Sequence, residues 1–311
     1  MLLKREIFSG QQLTLFASPR SAGQCMEMEG ECFPIYDAEK ADFSPYTLCI
    51  FNTECTISKK LIPCALEAGA YVIDSSSAYR LDAEVPLIVP PVNGSSINLA
   101  CKLYAHANCI VSPLATVLAP LHTHNPIRRV NVTTYQSTSG AGKLAADQCW
   151  EETRALMRGE TVQRGHFQRQ IGFNVIPQIG EFLDDGMSSE EYKIIHEVKK
   201  VVDSEIAITA TAVRVPVMIG HAMALSLELS TFFTIGKVIR ILEEAPFVRV
   251  QKEGYLTPAE VVGSDQVFVG RVRRDSSTAR AVHLWLCSDN LRRGAATDSV
   301  EIAEELIKKI M

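Results

Sequence analysis

The chain has 311 residues, 47% of them hydrophobic and 22% charged, with a formal net charge of −5. That is apolar material for one large or two medium globular domains, and the mild negative balance argues against nucleic acid or an acidic membrane surface as the main partner. No apolar run reaches the roughly 18 residues that would span a bilayer, and the opening MLLKREIFSG is too short and too charged for a secretory signal. The nine cysteines, at 25, 32, 49, 55, 64, 101, 109, 149 and 287, include no CxxC pair. That pattern suggests neither a zinc ribbon nor a redox motif, implies no metal, and fits reduced thiols in a cytoplasm.

In chain order, Met1 to Phe8 reads as the tail of a helix stopping at Ser9-Gly10, and Leu13 to Ala17 as a short buried strand followed by the polar turn Ser18 to Gly23. Thr47 to Asn52 is a second strand, Ile57 to Ala68 a helix by its period with Gly69 as its stop, and Tyr71 to Asp74 a third strand running into Ser75 to Arg80. Val85 to Val92 is apolar but broken by prolines. Strand, helix and strand in alternation predict a parallel sheet, with ligands at the carboxyl ends of its strands, where both polar turns fall. No opening strand with a glycine-rich turn precedes them, so the chain is expected to begin inside the helix that normally follows such a turn.

Beyond residue 107 the character changes. Val130 to Thr134 reads as a strand ending in a small-residue turn through Lys143, Leu144 to Met157 as a helix, and Phe173 to Ile179 as a strand. Ser188 to Val202 is a helix capped by Ser188, with Glu190 and Glu191 in its first turn and Lys199 and Lys200 near its end. Strands are expected at Ile206 to Val217, from His221 to Leu229, at Val267 to Arg273 and at Ala281 to Cys287, and a closing helix over Asn290 to Met311. Cys109 stands after Asn108 and shortly before an apolar, helix-like segment, Leu114 to Leu121. A helix N-terminus there favours a thiolate, although a cysteine in that setting is equally a small core residue.

The segments NC (108–109), TYQSTSGAGK (134–143), FNVIPQI (173–179), EEYK (190–193), RVPVMIGH (214–221), VGSDQVFVGRVRRD (262–275) and DNLRRGAA (289–296) occur in one order, with SPRSAG (18–23) and SSSAYR (75–80) upstream. Together they resemble the aspartate-semialdehyde dehydrogenases over nearly the whole chain. The resemblance implies a Rossmann-type NADP-binding domain, incomplete at its N-terminus, over residues 1–107 and 291–311. An α/β catalytic and dimerisation domain with a large mixed sheet would cover 108–290. It implies a cytoplasmic homodimer or homotetramer that reduces L-aspartyl 4-phosphate with NADPH to L-aspartate 4-semialdehyde and phosphate, reversibly, on the route to lysine or diaminopimelate, threonine and methionine.

Roles follow from the matched positions. Cys109 would be the nucleophile, attacking the acyl phosphate and leaving a thioester that hydride can reduce. His221 would take the thiol proton and later protonate the oxyanion, Gln136 would orient the thiolate and the carbonyl, and Asn108 would donate to phosphate or oxyanion. Arg214 would clamp the substrate α-carboxylate, Glu190 its ammonium, and Lys193 and Arg80 its phosphate. Spacing alone favours reading Glu190 and Lys193 as an ordinary surface i,i+3 ion pair. Ser18, Arg20 and Ser21 would hold the 2′-phosphate of NADP, and Ser139, Gly140 and Asn290 the nicotinamide side. The other histidines, at 106, 122, 124, 166, 196 and 283, match no motif.

Some positions depart from the family pattern. Asn52-Thr53-Glu54-Cys55 replaces a small Ser-Ala-Gly turn, Ser75 stands where Asn is usual, and Pro113 follows Cys109 by four residues. The missing glycine-rich turn leaves a non-catalytic homologue that binds no nucleotide as one alternative, and a related acyl-phosphate reductase of the N-acetylglutamyl-phosphate type is another.

Overall fold

The computed structural model describes residues 1–5, 12–162 and 165–310. Its elements begin with β1 (Leu15–Ala17), β2 (Cys25–Met28), β3 (Glu31–Asp37), β4 (Leu48–Phe51), α1 (Cys55–Glu67), β5 (Tyr71–Asp74), β6 (Leu87–Ile88), α2 (Pro90–Asn93) and β7 (Leu103–His106). They continue with α3 (Val111–His124), β8 (Ile127–Gln136), α4 (Lys143–Met157), α5 (Ser189–Val201), β9 (Ala207–Arg214), β10 (His221–Leu229) and α6 (Ile235–Glu244). β11 (Val248–Val250), β12 (Val267–Arg274), β13 (Ala281–Ser288) and α7 (Thr297–Ile310) complete the chain.

Contacts divide it into two units, one of Met1–Pro86, Ser95–His106 and Ser299–Met311, the other of Leu87–Gly94 and Ala107–Asp298. The expected domain limits differ from these at residues 87–94, at 107 and at 291–298. Residues 87–94 join the second unit because β6 packs on α5 and α2 on α3. The second unit also runs on past 290, because Asp298 takes the Arg293 guanidinium at 2.8 Å and the Gly294 N–H at 3.1 Å.

In the first unit, β4, β5 and β7 pair in parallel, and α1 lays Leu61, Ile62 and Ala65 against Phe43, Phe51 and Val72. α1 stops at Gly69, whose φ of +89° lets its own N–H reach Leu66 O at 2.9 Å and the Ala70 N–H reach Ala65 O at 3.1 Å. β1 pairs in parallel with β3, and β3 folds back on β2 as a hairpin. That hairpin escapes the sequence reading because only Phe33 of its strands is buried, so no apolar alternation marks it. It also corrects the expectation of uniformly reduced thiols. Cys25 lies opposite Pro34 and Cys32 opposite Glu27, so the two cysteines share one face with Cα atoms 5.8 Å apart and are joined as a disulfide. Of the expected opening helix, Leu3–Arg5 forms a 3₁₀ turn, and the part from Glu6 to Gly10 lies outside the described residues.

The second unit is built on a six-stranded mixed sheet in the order β11-β12-β13-β10-β8-β9. β8 runs parallel to β9 and antiparallel to β10, which is antiparallel to β13. This topology brings the last residues of β8, β9 and β13 and the first residue of β10 to one end of the sheet. α3 is buried without a break from Val111 to Leu118, as expected of a helix enclosed on all sides, and Pro113 sits harmlessly in its first turn. Phe173 to Ile179, expected as a strand, makes only the single bridge Ile176↔Arg214. That loop is held instead by the buried Glu152 carboxylate, which accepts the Ile171 and Gly172 N–H groups at 2.6 and 3.0 Å. The closing helix starts late, at Thr297, because Arg293, Gly294 and Ala295 have non-helical backbone angles.

Gly220, immediately before β10, has φ +92°, and a Cβ there would lie 2.8 Å from Pro258 O; a Cβ on Gly69 would meet nothing. Gly69→Ala is therefore expected to lose about 1–2 kcal/mol for the left-handed backbone alone, and Gly220→Ala clearly more, by urea denaturation. Equal losses would mean that the Pro258 approach carries no weight.

Candidate active site

The sheet end defined above gathers several of the residues expected to be catalytic. Gln136 and Arg214 are cross-strand neighbours at the last positions of β8 and β9, and His221 opens β10 opposite Ser288 of β13. All three are nearly inaccessible to solvent. Cys109 lies just ahead of α3, and its Sγ is 3.4 Å from His221 Nε2. The 112 residues between thiol and imidazole in sequence are thus closed by sheet register and by the packing of α3.

The His221 ring is oriented by Ser137, the residue after β8. The Ser137 N–H donates to Nδ1 at 3.0 Å, which puts the proton of the neutral ring on Nε2, facing the sulfur. Ser137 Oγ is also 3.0 Å from Nδ1, so it can accept a proton carried there. Burial first, and the nearby Arg214 charge second, push His221 down to about 3 from its ordinary 6.5. The expected role of His221 as thiol base is thereby qualified. In its resting tautomer the ring donates to sulfur, and taking the thiol proton requires the ring proton to sit on the Ser137 side.

Glu190 is the hub of the polar cluster. α5 begins with a capping box, in which Ser188 N–H donates to Glu191 Oε2 at 2.7 Å and Glu191 N–H to Ser188 Oγ at 3.4 Å. Glu191 Oε1 also accepts the Ala212 N–H of β9 at 2.9 Å, which fixes the helix against the sheet edge. The buried Glu190 carboxylate then accepts Asn108 Nδ2 at 3.0 Å, Gln136 Nε2 at 3.3 Å and Lys193 Nζ at 3.1 Å. Burial alone would raise this carboxyl. The Lys193 charge, with hydrogen bonds from Lys193, Asn108 and Gln136, outweighs burial and holds Glu190 below the ordinary glutamate value. Glu190 and Lys193 are an i,i+3 ion pair, but a half-buried one built into the site rather than a surface pair.

Arg214 donates from Nη1 to Ser137 O at 2.7 Å. Burial lowers its pKa, while Cys109 and Glu190 act to raise it. Gly140 is where a Cβ would stand 3.0 Å from His221 Cε1 and Nε2 and 3.1 Å from Arg214 Nη1. The Gly140 backbone therefore packs closely on both side chains, and a Cβ there would force one of them to shift. Asn290 is engaged within the surrounding loops: its Oδ1 accepts the Gly220 N–H at 2.8 Å and Ser137 Oγ at 3.1 Å, and its Nδ2 donates to Ser139 Oγ at 3.1 Å.

Cys109, His221, Gln136, Asn108, Glu190, Lys193, Arg214, Ser139, Gly140 and Asn290 all belong to the second unit. Ser18, Arg20, Ser21 and Arg80 belong to the first. Ser18 and Arg20 are exposed on the turn after β1, where Ser21 N–H closes onto Ser18 O at 2.9 Å. Arg80 is buried and donates from Nη2 to Ser75 O at 2.7 Å. Two of the departures prove to be partners, since Ser75 Oγ donates to Asn52 Oδ1. Glu54 is exposed at the start of α1. Among the described residues no His, Cys, Asp and Glu group is arranged for a metal ion. Two residues that shape the site carry no expectation from the sequence. Ser137 lies inside the TYQSTSGAGK stretch and Glu197 seven residues after Glu190, and only the fold reveals what each faces.

The unfolded value of His221, near 6.5, exceeds its folded value, about 3. Below 6.5 the unfolded chain therefore binds a proton that the folded chain refuses, and stability falls as pH drops towards 3, with no such penalty above 6.5. Urea denaturation at about pH 7.5 and about pH 5 is expected to show a flatter pH dependence for His221→Gln than for the wild type. Identical pH dependence in the two proteins would contradict a buried neutral imidazole.

Comparison with known proteins agrees with this arrangement. Residues 1–100 match the family described as Semialdehyde dehydrogenase, NAD binding domain, and residues 118–293 the family described as Semialdehyde dehydrogenase, dimerisation domain. The chain is 39% identical to the aspartate-semialdehyde dehydrogenase of Rickettsia bellii over 313 aligned residues, covering 99% of this chain and 93% of that one. The Bacillus subtilis aspartate-semialdehyde dehydrogenase is 36% identical, with 97% and 91% covered. The crystal structure of aspartate semialdehyde dehydrogenase II from Vibrio cholerae complexed with ASA superposes with a TM-score of 0.96 at 37% identity, covering 100% of this chain and 94% of that one.

Proposed function

The chain belongs to the aspartate-semialdehyde dehydrogenase family, and we propose that the Cys109 cluster carries out that family's reaction in it. The reaction is the reversible, NADPH-dependent reductive dephosphorylation of L-aspartyl 4-phosphate to L-aspartate 4-semialdehyde and phosphate. The observation that carries this reading is the 3.4 Å approach of Cys109 Sγ to His221 Nε2 beside a buried guanidinium and a buried carboxylate.

With the ring proton on Nδ1 facing Ser137 Oγ, His221 Nε2 accepts the thiol proton and leaves a thiolate. The sulfur attacks the acyl carbon, the carbon–oxygen bond to phosphate breaks, and phosphate departs with Lys193 Nζ as a nearby cation. NADPH, when bound, would supply the hydride for the thioacyl carbon. His221 Nε2 then gives its proton to the oxyanion and recovers it as the carbon–sulfur bond breaks and the aldehyde leaves. Arg214 offers a planar fork to the α-carboxylate, and Glu190, held ionised by its neighbours, faces the ammonium. An N-acetylated substrate has no ammonium for Glu190, so the free amino acid is the better match.

Ser139, Gly140 and Asn290 keep the nicotinamide-side role that the resemblance gives them, with the Gly140 backbone packed against His221. The exposed Arg20 between Ser18 and Ser21 suits a 2′-phosphate, and hence NADP. Arg80 keeps the phosphate role that the resemblance gives it. The assembly we propose is a homodimer or homotetramer in the cytoplasm. The outer face of the large sheet, with half-exposed Thr133, Tyr135, Ala224, Ser226 and Trp285, supports association with a second copy.

Three kinetic outcomes test the assignment. Cys109→Ala is expected to abolish turnover, and normal turnover would end the covalent reading. Arg214→Ala is expected chiefly to raise KM, by about tenfold or more for a lost charged hydrogen-bonding group. Glu190→Ala is expected to raise KM for aspartate semialdehyde as well, and an unchanged KM would point to an N-acylated substrate.

A further inference from the structure

Glu197 is completely buried on α5 and has no part in the steps above. Seven residues separate it from Glu190, close to two helical turns, so both carboxylates face the same way. Each grips the same residue. Glu197 Oε2 accepts the Asn108 main-chain N–H at 2.7 Å, and Glu190 Oε1 accepts the Asn108 side-chain amide at 3.0 Å. Asn108 in turn shapes the entry to α3, with its Oδ1 accepting the Ile110 N–H at 2.7 Å and its carbonyl the Ser112 N–H at 3.0 Å.

The opposite side of the nucleophile is confined as well. A Cβ on Gly294 would lie 2.6 Å from Cys109 Cα, so the Gly294 backbone abuts Cys109 directly. The Gly294 N–H is pinned to Asp298 Oδ2 at 3.1 Å. Cys109 therefore has little freedom to translate. What remains adjustable is the tilt of the peptide that leads into Asn108, and that tilt sets where Sγ points relative to His221 Nε2.

We propose that Glu197 is a positioning residue for the Cys109 nucleophile, its buried carboxylate fixing the Asn108 peptide so that Sγ stays within reach of His221. The proposal rests on the covalent reading above. It assigns Glu197 an effect on the chemical step and none on substrate recognition, because Glu197 bonds the main chain ahead of the sulfur while Arg214, Glu190 and Lys193 meet the substrate.

The test compares Glu197→Asp, which keeps the carboxyl group but falls one methylene short, with Glu197→Gln, which keeps the length and an acceptor oxygen. Two readouts are taken on the folded fraction, determined by circular dichroism. One is the split between kcat and KM, and the other is the rate of iodoacetamide labelling at the Cys109 peptide. Misplacement by about 1 Å is expected to lower kcat of Glu197→Asp by roughly a hundredfold, with KM nearly unchanged and Cys109 labelling altered. Glu197→Gln is expected to recover most of that loss. Wild-type kcat and labelling in Glu197→Asp would overturn the proposal, as would a loss confined to thermal stability or one that falls on KM. A parallel Cys109→Ala protein separates the two levels. Turnover by that variant overturns the covalent reading, whereas an inactive Cys109→Ala beside fully active Glu197 variants overturns only the positioning role.

Discussion

The buried carboxylate of Glu190 is the constraint on which the site depends. A charge out of water is tolerated only with partners, and Glu190 has three from three parts of the second unit: Lys193 on its own helix, Asn108 ahead of α3, and Gln136 at the end of β8. Removing a partner from a buried ion pair typically destabilises by about 3–5 kcal/mol, so these groups stay together or the cluster fails together. The sheet, the loop carrying Cys109 and α5 are thereby held in one arrangement, and the acid proposed to meet the substrate ammonium is the same acid that holds the loop.

Around that hub the charges are graded. Glu190 stays ionised because its partners outweigh its burial, and His221 stays neutral because burial and Arg214 act together. Burial favours the neutral form of both side chains, and the outcomes differ because only the Glu190 neighbours outweigh it. A neutral imidazole beside a thiol can move a single proton between sulfur and carbonyl oxygen without a permanent charge. Other thiols lack this setting, since burial pushes Cys49 up to about 11 and Cys287 up to about 12. Both stay protonated at neutral pH.

Much of this was legible from the residues. The capping box of α5, the strands around Val130 to Thr134 and Ile206 to Val217, and the β10 strand opening at His221 have local signals, in an N-cap Ser188, runs of β-branched residues, and glycine at 220, although β8 runs on to Gln136 and β9 stops at Arg214. The hairpin carrying Cys25 and Cys32 had no such signal, because its strands bury almost nothing. Phe173 to Ile179 misled for the converse reason. It is apolar, but Ile176 and Ile179 are buried in a loop held by Glu152, so apolarity there reports burial and not a ladder. Ser137 and Glu197 were illegible because their roles are relations across 84 and 89 residues of chain. No local pattern encodes which backbone N–H a buried carboxylate will meet.

The central claim, that Cys109 carries the acyl group, is tested most directly by mass. The protein is incubated with L-aspartate 4-semialdehyde and NADP⁺ in the absence of phosphate, quenched in acid and mapped by peptide. In that direction the thioacyl enzyme has no phosphate to release it, and an acyl adduct is expected on the peptide containing Cys109. Reduction of NADP⁺ with that peptide unmodified, or with the adduct on another of the cysteines, would contradict the account.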